Sequence, residues 1–477
     1  MQIIGRTEEQ RVLTRCIESK NPEFVAVYGR RRVGKTYLVR EFFENSFAFQ
    51  LTGAASEGMG MQLDYFNKSF KRYGGSEQNP AQNWPDAFEM LKGLLENSKQ
   101  RYKGKLVVFL DEIAWLGTRR SGFLSALEHF WNSWGSTRSD LILIVCGSAS
   151  SWIVKKLFRN RGGLHNRVTK RLKLDPFTLA ECEAFFTYKE INFSRRLIAD
   201  AYLVFGGIPF YLDLFEPGKS VVQNVDAICF ASNAPLAAEF GELYASLFEH
   251  EANYVEVVKA LASRRSGLTR NELIEATGLS SGGSLTEVLE ELELSGFIRR
   301  FDDFTGSTDR YLYQLMDFFS FFYLTFMAPA RHQDSHFWAN LNGRGKYHAW
   351  SGLSFELLCL THIDQIKDGL GISGVSTSVS SWRNPSKDLR MQIDLVIDRR
   401  DGIINLCEDK YTLEPFEIDK RTAEKITARK DAFVVHTKTS KAVHNIMISA
   451  AGVKTNAHSH VVEKVLTLDD LFRQREG

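Results

Sequence analysis

The stretch GRRRVGKT, residues 29–36, directly follows the apolar run FVAVY at residues 24–28. Three successive arginines are normally a solvated surface feature, yet these three lie inside a loop bounded by Gly29 and Gly34. Glycines at those positions let backbone N–H groups turn inward around an anion, and a following helix adds its N-terminal N–H groups. The order strand, glycine loop, helix therefore predicts a phosphate-binding loop.

In such a loop, Lys35 reaches the β- and γ-phosphates of ATP, and the Thr36 hydroxyl binds Mg²⁺. The arginines are then placed on a loop that wraps a polyanion, although some of them could instead face solvent or a partner subunit. The other residues of the loop that we expect to contact the nucleotide are Gly29, Arg30, Arg31, Arg32, Val33, Gly34 and Tyr37.

Two further buried strands end in polar residues. The run at residues 106–112, LVVFLDE, ends in Asp111 and Glu112. A carboxylate at the end of a buried strand can hold Mg²⁺, and its neighbour can orient or deprotonate the attacking water, so we assign these roles to Asp111 and Glu112. Asp111 could alternatively cap a helix. The next run, LILIVCGS at 141–148, places Ser148 at the same edge, either as a γ-phosphate or water sensor or as a plain turn serine.

The composition is that of a soluble globular protein with several cores. At 477 residues we expect two to four domains. The 60 Lys+Arg and 58 Asp+Glu nearly balance, so global charge neither favours nor excludes nucleic acid. Six scattered cysteines indicate neither disulfides nor structural zinc. The start MQIIGRTEEQ is too polar for a signal peptide, and FFSFFYLTFMA (318–328) is too short to span a bilayer. We expect a cytoplasmic protein without a membrane segment, and a buried helix at 318–328.

Together, the segments GRRRVGKT, LDE, CGSAS and GGIP resemble the archaeal-type ATPase family within the AAA+ and STAND-like P-loop NTPases. The N-terminal IIGRTEEQRVL resembles the family's leading box, which implies that Arg6 lies near the adenine. The resemblance also implies that Pro209, in GGIP, touches the nucleotide from a helical lid. It places a γ-phosphate-sensing arginine at Arg167, which would face a neighbouring subunit in a homo-oligomeric ring; a basic surface run is the alternative.

The segment QIDLVIDRRDGIINLCEDKY, residues 392–411, carries a second set of charged residues. A tight turn at Asp401-Gly402 predicts a hairpin, with Asp394 on one strand and Glu408 and Lys410 on one face of the other. Two carboxylates and a lysine that converge in this way predict a site for Mg²⁺ or Mn²⁺ and an activated water.

This pattern resembles the PD-(D/E)xK nuclease core. The resemblance implies Glu356 in a preceding helix as an additional metal ligand, and Lys410 as the residue that positions or deprotonates the water. Asp409 departs from the usual apolar residue between the glutamate and the lysine, and we expect it to point to the buried face. After residues 403–411 we predict a helix at 417–430 and a strand at AFVVHT, residues 432–437.

Residues 254–315 resemble a winged helix. Thr269 and Glu272, and also Ser284 and Glu287, have the spacing of capping boxes, each opening a helix. The second of these helices is acidic and would repel phosphates, so DNA contact would fall to Arg299-Arg300, or the segment serves in assembly, which we favour.

These observations predict an α/β protein: a P-loop NTPase parallel sheet with a helical lid, a winged helix, and a C-terminal restriction-endonuclease-like α/β domain. The domain bounds are 1–176 for the ATPase core, 177–253 for the lid, 254–315 for the winged helix, 316–349 for a helical connector and 350–477 for the nuclease-like domain. We expect a Mg²⁺-dependent ATPase whose nucleotide state controls the nuclease-like domain, in defence against foreign DNA, with ATP and nucleic acid as partners. The alternatives are a switch with a degenerate, non-cleaving nuclease fold and an ATP-regulated DNA-binding protein.

Overall fold

The computed structural model describes residues 2–474 except 77–78, 160–161, 165, 249, 265, 303, 305–310, 331–333, 342 and 385–390. The chain divides into two compact units, Met1–Pro176 and Phe177–Gly477. Each unit is described by itself.

The first unit alternates helices and strands. Its helices are α1 (Thr7–Glu18), α2 (Lys35–Phe42), α3 (Met59–Arg72), α4 (Trp84–Asn97), α5 (Ile113–Leu116), α6 (Phe123–Ser133) and α7 (Ser150–Ile153). Its strands are β1 (Glu23–Gly29), β2 (Phe49–Thr52), β3 (Leu106–Asp111), β4 (Leu141–Gly147) and β5 (Lys170–Leu174). The three apolar runs of the sequence are β1, β3 and β4, as predicted.

The described strands of the first unit form one parallel sheet in the order β2-β3-β4-β1-β5. Every residue of β3 and β4 is buried, which is expected of strands that helices cover on both faces. Parallel strands end at the same edge of a sheet, so the loops after β1, β3 and β4 meet there. The predicted α/β fold with a parallel sheet is confirmed.

The second unit begins with helices. They are α8 (Leu179–Tyr188), α9 (Arg195–Phe205), α10 (Pro209–Asp213), α11 (Val221–Val225) and α12 (Glu239–Leu247). Thr178 and Ser220 open α8 and α11 with complete capping boxes, because the residue three places on returns its side chain to the cap backbone.

A small mixed segment follows. Its elements are α13 (Glu251–Ser263), β6 (Leu268–Thr269), α14 (Arg270–Thr277), α15 (Gly283–Leu294), β7 (Ile298–Asp302) and β8 (Tyr311–Leu315), with the strands in the order β6-β8-β7. The predicted capping box of Thr269 is confirmed. The predicted box at Ser284 is wrong, because α15 begins earlier, at Gly283, and Ser284 already lies inside the helix.

Apolar helices lead into the C-terminal part. They are α16 (Phe318–Phe322), α17 (Phe337–Leu341), α18 (Gly345–Thr361) and α19 (Ile363–Leu370). All five residues of α16 are buried, so the predicted buried helix in the apolar run is confirmed. None of the helices in the described residues combines the length and the apolar character needed to cross a membrane.

The C-terminal part, which we call the tail, contains β9 (Thr377–Arg383), β10 (Gln392–Arg399), β11 (Ile403–Lys410), α20 (Lys420–Thr437), β12 (Ala442–Ser449), β13 (Lys464–Thr467) and α21 (Leu468–Leu471). Its described strands form a sheet in the order β13-β12-β11-β10-β9. The strands β9, β10 and β11 pair antiparallel, whereas β12 pairs parallel to β11 after the crossover through α20. The predicted hairpin at Asp401-Gly402 is confirmed, with Gly402 at φ 89°.

The predicted strand AFVVHT is wrong, since these residues form the last turns of α20. Phe433 is fully buried in one core cluster of the tail, and Ile426, two helical turns earlier on the same face of α20, lies in a second cluster. The true strand is β12, five residues further on. Packing of the helix face outweighed the strand preference of the paired valines, a frequent outcome for short β-branched runs.

Candidate nucleotide site and tail site

The phosphate loop lies between β1 and α2, where close packing requires its glycines. A Cβ on Gly29, at φ 146°, would lie 2.2 Å from the Leu174 carbonyl oxygen, so no other residue fits there. Gly34 has φ 88°, and a Cβ added to it would meet nothing within 4 Å. The loop is therefore open on the side of Gly34, next to the first turn of α2, where a phosphate can approach backbone N–H groups.

Lys35 is held inside the loop. Its ammonium donates to the carbonyl oxygens of Gly29 and Arg30 at 3.0 and 2.8 Å, and the residue is only 6% exposed. Burial lowers the pKa of Lys35, and nearby groups that include Glu112 and Asp111 oppose part of that shift. A lysine satisfied only by neutral carbonyls in a buried site gains free energy from an anionic partner, because a charge-assisted bond is stronger.

Thr36 and Asp111 are joined directly. The Thr36 hydroxyl donates to Asp111 Oδ2 at 2.9 Å, and the other carboxylate oxygen accepts from the Glu112 N–H at 3.0 Å. Asp111 is 3% exposed at the end of β3. Mg²⁺ binds through one or two protein oxygens together with phosphates and waters, so this hydroxyl and carboxylate suit the cation, and their binding of it remains a prediction.

Glu112 is turned toward the end of the neighbouring strand. Its backbone lies in the left-handed region, at φ 48°, between β3 and α5. Its Oε2 accepts from the Ser148 hydroxyl at 3.0 Å and from the Ser148 N–H at 3.3 Å. The structure thus brings the predicted base and the predicted sensor into contact, which a plain turn serine would not require.

Arg6 supports the backbone of the phosphate loop through hydrogen bonds. Its guanidinium is buried and donates to the carbonyl oxygens of Val33 at 3.1 Å and of Asp175 at 2.6 Å. Of the other loop residues, Arg30 and Val33 are buried, whereas Arg31 and Arg32 are partly exposed.

Three further residues are predicted to contact the nucleotide. Tyr37 is 41% exposed and donates to the Gln2 carbonyl at 3.3 Å. Arg167 is exposed in the loop before β5. Pro209 is the first residue of α10 in the second unit. The contacts of these residues with a nucleotide remain predictions.

The tail brings the other predicted residues onto neighbouring strands. Leu395 is paired with Cys407, so Asp394 and Glu408 occupy the next position of the β10–β11 ladder. Glu408 Oε1 accepts from the Lys410 ammonium at 2.6 Å, and Glu408 Oε2 forms an ion pair with Arg429 of α20. Asp394 accepts a hydrogen bond from the side chain of Gln392.

The carboxyl groups of this cluster have different environments. Burial raises the pKa of Asp394, and the Glu408 carboxylate adds to that shift. Burial alone would raise the pKa of Glu408 as well, but Arg429 and Lys410 outweigh it and the net shift is downward. Asp409 points to the other face, as predicted, where burial and the neighbouring Glu356 raise its pKa well above the usual range.

The predicted metal shell of Glu356, Asp394 and Glu408 is not formed. Within the part of the chain that the structure describes, no three His, Cys, Asp or Glu side chains are grouped so that they could hold a metal ion. Two features account for this: Glu356 lies near Asp409, which points to the face opposite to Glu408, and both oxygens of Glu408 are taken by Lys410 and Arg429. As it stands, the cluster does not fit a metal.

Arg429 was missed from the sequence although a signal for it exists. The buried residues Ala423, Ile426 and Phe433 define one stripe of α20, and position 429 lies within that stripe. A charged residue inside an apolar stripe requires a buried or half-buried partner, so the pattern predicts a carboxylate on the facing sheet.

The geometry of the first unit, with a loop threonine bonded to the aspartate of a buried strand and a glutamate beside it, is that of the P-loop ATPase class of proteins. Residues 4–215 match the model of a family described as an ATPase domain predominantly from Archaea. The chain therefore contains a domain that matches this family over less than half of its length.

Two curated relatives come from Methanocaldococcus jannaschii. An uncharacterised protein is 25% identical over 339 residues, which are 68% of this chain and 69% of the relative. An uncharacterised ATP-binding protein is 40% identical over 45 residues, which are 9% of this chain and 76% of the relative.

Solved structures also resemble the chain. A Walker-type ATPase of Pyrococcus abyssi has a TM-score of 0.47 at 19% identity, covering 68% of this chain and 96% of its own. The ORC2 protein of Aeropyrum pernix, solved in ADPNP–ADP complexes, has a TM-score of 0.42 at 13% identity, covering 76% of this chain and 96% of its own.

Proposed function

We propose that the first unit binds and hydrolyses ATP with Mg²⁺. The observation that carries this proposal is the 2.9 Å hydrogen bond between Thr36 and Asp111, which links the phosphate loop to the end of β3. These two residues would hold the cation, and the bound cation would neutralise charge that develops on the phosphates. Lys35 would exchange the carbonyl oxygens of Gly29 and Arg30 for phosphate oxygens.

Glu112 is the residue that we propose for the attacking water. Its contact with Ser148 fixes the direction of the carboxylate at the edge where the phosphates would lie. A glutamate in this place can orient or deprotonate a water, and Ser148 would keep it in position without taking the proton. Arg6 would keep the loop in its binding shape from the rear through the Val33 carbonyl.

ATP binding to the full-length Lys35→Ala variant, measured by calorimetry, tests the nucleotide site. We expect binding to be lost, because the buried ammonium is the cation of the loop. Lys20→Ala, which removes an exposed lysine of the same unit, serves as the control and should bind ATP like the wild type. Tight binding by Lys35→Ala would overturn the assignment.

For the tail, we propose a nuclease-like domain. Its order of elements supports this: the helix α18 precedes three antiparallel strands, and α20 then leads to the parallel strand β12. Asp394 and Glu408 at neighbouring ladder positions, with Lys410 on the face of Glu408, supply the acid–lysine set of such domains. A degenerate domain that binds nucleic acid without cleaving it is the second candidate, favoured by the ion pairs that occupy Glu408.

We also propose that the nucleotide state controls the tail, a coupling that would suit defence against foreign DNA. Support comes from the lid helix α9, which contacts the end of β11. Arg196 of α9 donates to the Thr412 carbonyl at 2.7 Å and stacks on the Tyr411 ring, with its guanidinium carbon 3.6 Å from the ring centre. The helix α9, which the GGIP segment follows, thereby contacts Tyr411 and Thr412, the two residues after Lys410.

The segment 254–315 supports assembly better than DNA binding. Arg299 donates to Gln314 at 2.9 Å and lies over the Phe301 ring. Arg300 lies over the Tyr311 ring, with Glu293 at 3.9 Å. Both arginines of the expected wing are thus engaged within the segment, and a phosphate would have to compete with these contacts.

Incubation of the purified chain with labelled DNA and RNA, with and without ATP and with Mg²⁺ or Mn²⁺, tests the tail. Cleavage that requires metal and is lost in Glu408→Gln would support the nuclease proposal. Binding of DNA without metal and without cleavage in any condition would favour the degenerate domain. Lys35→Ala separates the two sites, because control by nucleotide should be lost in that variant while the tail keeps its carboxylates.

A further inference from the structure

The segment from the end of β4 to the end of β5, residues 149–174, is strongly basic. It contains eight Lys+Arg and no Asp or Glu, which leaves 52 Lys+Arg against 58 Asp+Glu in the rest of the chain. The near balance of the whole sequence therefore hides one positive segment in a chain that is otherwise slightly acidic. A local excess of positive charge attracts a polyanion whatever the net charge of the protein.

The strand β5 carries part of this charge on one face. Its buried side chains are Leu172 and Leu174. Arg171 and Lys173 alternate with them and are exposed. β5 stands at the end of the sheet order, next to β1. Two residues along a strand are about 6.6 Å apart, so Arg171 and Lys173 can contact different phosphates of one nucleic-acid backbone.

The guanidinium of Arg171 is held by an aromatic contact. Its carbon lies 4.5 Å from the centre of the Phe158 ring, and that ring packs edge to face against Tyr28 of β1, with 5.3 Å between the ring centres. Phe158 is only 8% exposed. A guanidinium that stacks on a buried ring keeps the N–H groups at its edge available, and these can donate to two oxygens of a phosphodiester.

The charges around Phe158 are not neutralised by acidic side chains. Lys156, in the helical turn Val154–Phe158, is exposed, and neither it nor Arg171 forms an ion pair with a residue that the structure describes. Lys173 pairs with Asp175 at 2.7 Å, but both side chains are exposed, so this pair contributes little free energy. Like charges that stay unpaired repel one another, and an anionic partner would remove that cost.

Protection of the sheet edge accounts for only part of this pattern. Charged side chains on an edge strand discourage pairing with other sheets, which would explain Arg171 and Lys173. Acidic residues would also repel other strands, yet the segment contains none, and Lys156 lies in a turn outside the strand. The bias toward positive charge thus indicates an anionic ligand in addition to protection of the edge.

We propose that Lys156, Arg171 and Lys173 form a surface of the first unit, the β5 surface, that binds the phosphate backbone of a nucleic acid. Contacts of this kind do not depend on base sequence and weaken steeply with salt. The inference rests on the proposed nucleic-acid partner of the chain. It assigns part of the binding to the ATPase unit, in addition to the tail.

The test measures binding of a labelled DNA duplex of arbitrary sequence to full-length variants, by fluorescence anisotropy at several salt concentrations. Lys156→Ala/Arg171→Ala should bind about tenfold more weakly than the wild type, because two phosphate contacts are removed. The slope of log K against log salt concentration should become shallower by about two. Loss of a purely structural contact would not change this slope.

Lys68→Ala/Lys71→Ala removes the same charge from α3 and is the matched control. Both lysines are exposed, and α3 packs through Phe66 on Phe49 of β2, the strand at the opposite end of the sheet order. This variant should match the wild type in affinity and in slope. Urea unfolding checks that both double variants are folded, and ATP binding without DNA should be unchanged in both.

The outcomes separate the β5 surface from the other proposals. Wild-type affinity and slope in Lys156→Ala/Arg171→Ala would overturn the β5 surface and leave nucleic-acid binding by the tail standing. If the wild type binds neither duplex nor single-stranded DNA or RNA, the surface and the nucleic-acid partner are overturned together, whereas the ATPase proposal is unaffected. Loss of binding to phosphatidylserine vesicles in this variant, with DNA binding unchanged, would overturn the nucleic-acid assignment in favour of an anionic membrane surface.

Discussion

The Tyr411 hydroxyl donates a 2.7 Å hydrogen bond to the Asp200 carboxylate, and so attaches the residue after Lys410 to the helix α9. The Tyr347 hydroxyl reaches the same oxygen at 3.4 Å. Burial raises the pKa of Asp200, and the Arg196 guanidinium opposes part of that shift. Tyr411, Tyr347 of α18 and Arg196 of α9 itself thus share one half-buried carboxyl group.

Tyr411→Phe should weaken the link between the lid and the tail. The variant loses one hydrogen bond to a buried carboxyl group, a cost of about 1–3 kcal/mol. We expect ATP turnover to stay at the wild-type rate, while the change in hydrogen exchange of residues 403–412 on adding ATP becomes smaller. Tyr188→Phe, at an exposed tyrosine of α8, is the control. An ATP response of normal size in Tyr411→Phe would show that coupling does not pass through this bond.

Glu112→Gln should bind ATP like the wild type and hydrolyse it slower by about two to four orders of magnitude, since the amide cannot accept the proton of the water. Ser148→Ala should give a smaller loss, because Glu112 keeps its charge but loses the hydroxyl that orients it. Phosphate release and nucleotide affinity, measured on the same samples, check this. Equal turnover in all three proteins would remove Glu112 from the reaction.

Arg167→Ala should lower turnover with little change in ATP affinity if the arginine meets a neighbouring subunit's γ-phosphate. The reduction should be largest at protein concentrations where the specific activity of the wild type has reached its plateau. Lys156→Ala, at another exposed basic residue of the same region, should have no such effect. Wild-type turnover in Arg167→Ala would leave Arg167 as surface charge.

His362 should make the stability of the second unit depend on pH. The ring is fully buried, accepts from the Leu179 N–H at 3.0 Å and contacts the Leu358 carbonyl at 2.9 Å. Burial lowers its pKa from 6.5 to about 4, so the unfolded chain takes up the proton first as the pH falls. The stabilising contribution of the neutral ring is fully present above the ordinary pKa. It is lost as the pH falls toward 4, and the free energy of unfolding then decreases by about 3 kcal/mol.

Urea unfolding at several pH values checks the role of His362. The difference between the wild type and His362→Gln should shrink as the pH falls from 7 to 4, because glutamine does not titrate. A difference in the free energy of unfolding that stays constant over this range would show that groups other than His362 cause the pH dependence.

The first unit was predictable because its signals are local. Continuous apolar runs mark strands that are buried on both faces, and the phosphate loop must follow such a strand. The strand β5 was not recognised, because its sequence KRLKL alternates charged and apolar residues, as a strand at the edge of a sheet does. The proximity of Glu112 to Ser148 could be expected only in general terms, from the shared edge of the sheet.

The sequence predicts which acidic residues of the tail are important, but it does not predict the ion pairs that they form. Asp394, Glu408 and Lys410 could be assigned to two strands from alternation and the glycine turn. The ion pair with Arg429 depends on where α20 crosses the sheet, and the mistaken strand at 432–437 removed the helical stripe that would have indicated it. The stripe indicates that Arg429 needs an acidic partner, but the particular carboxylate that it meets depends on long-range packing.

Two of the hydrogen bonds of Arg6 have a mechanical consequence. One goes to Val33 in the phosphate loop, and the other goes to Asp175, the residue before Pro176. The backbone passes from the first unit to the second at Pro176–Phe177, and proline restricts both its own rotation and that of the residue before it. A displacement of the loop would therefore pull, through the Arg6 guanidinium, on the stiff residues at the end of the first unit.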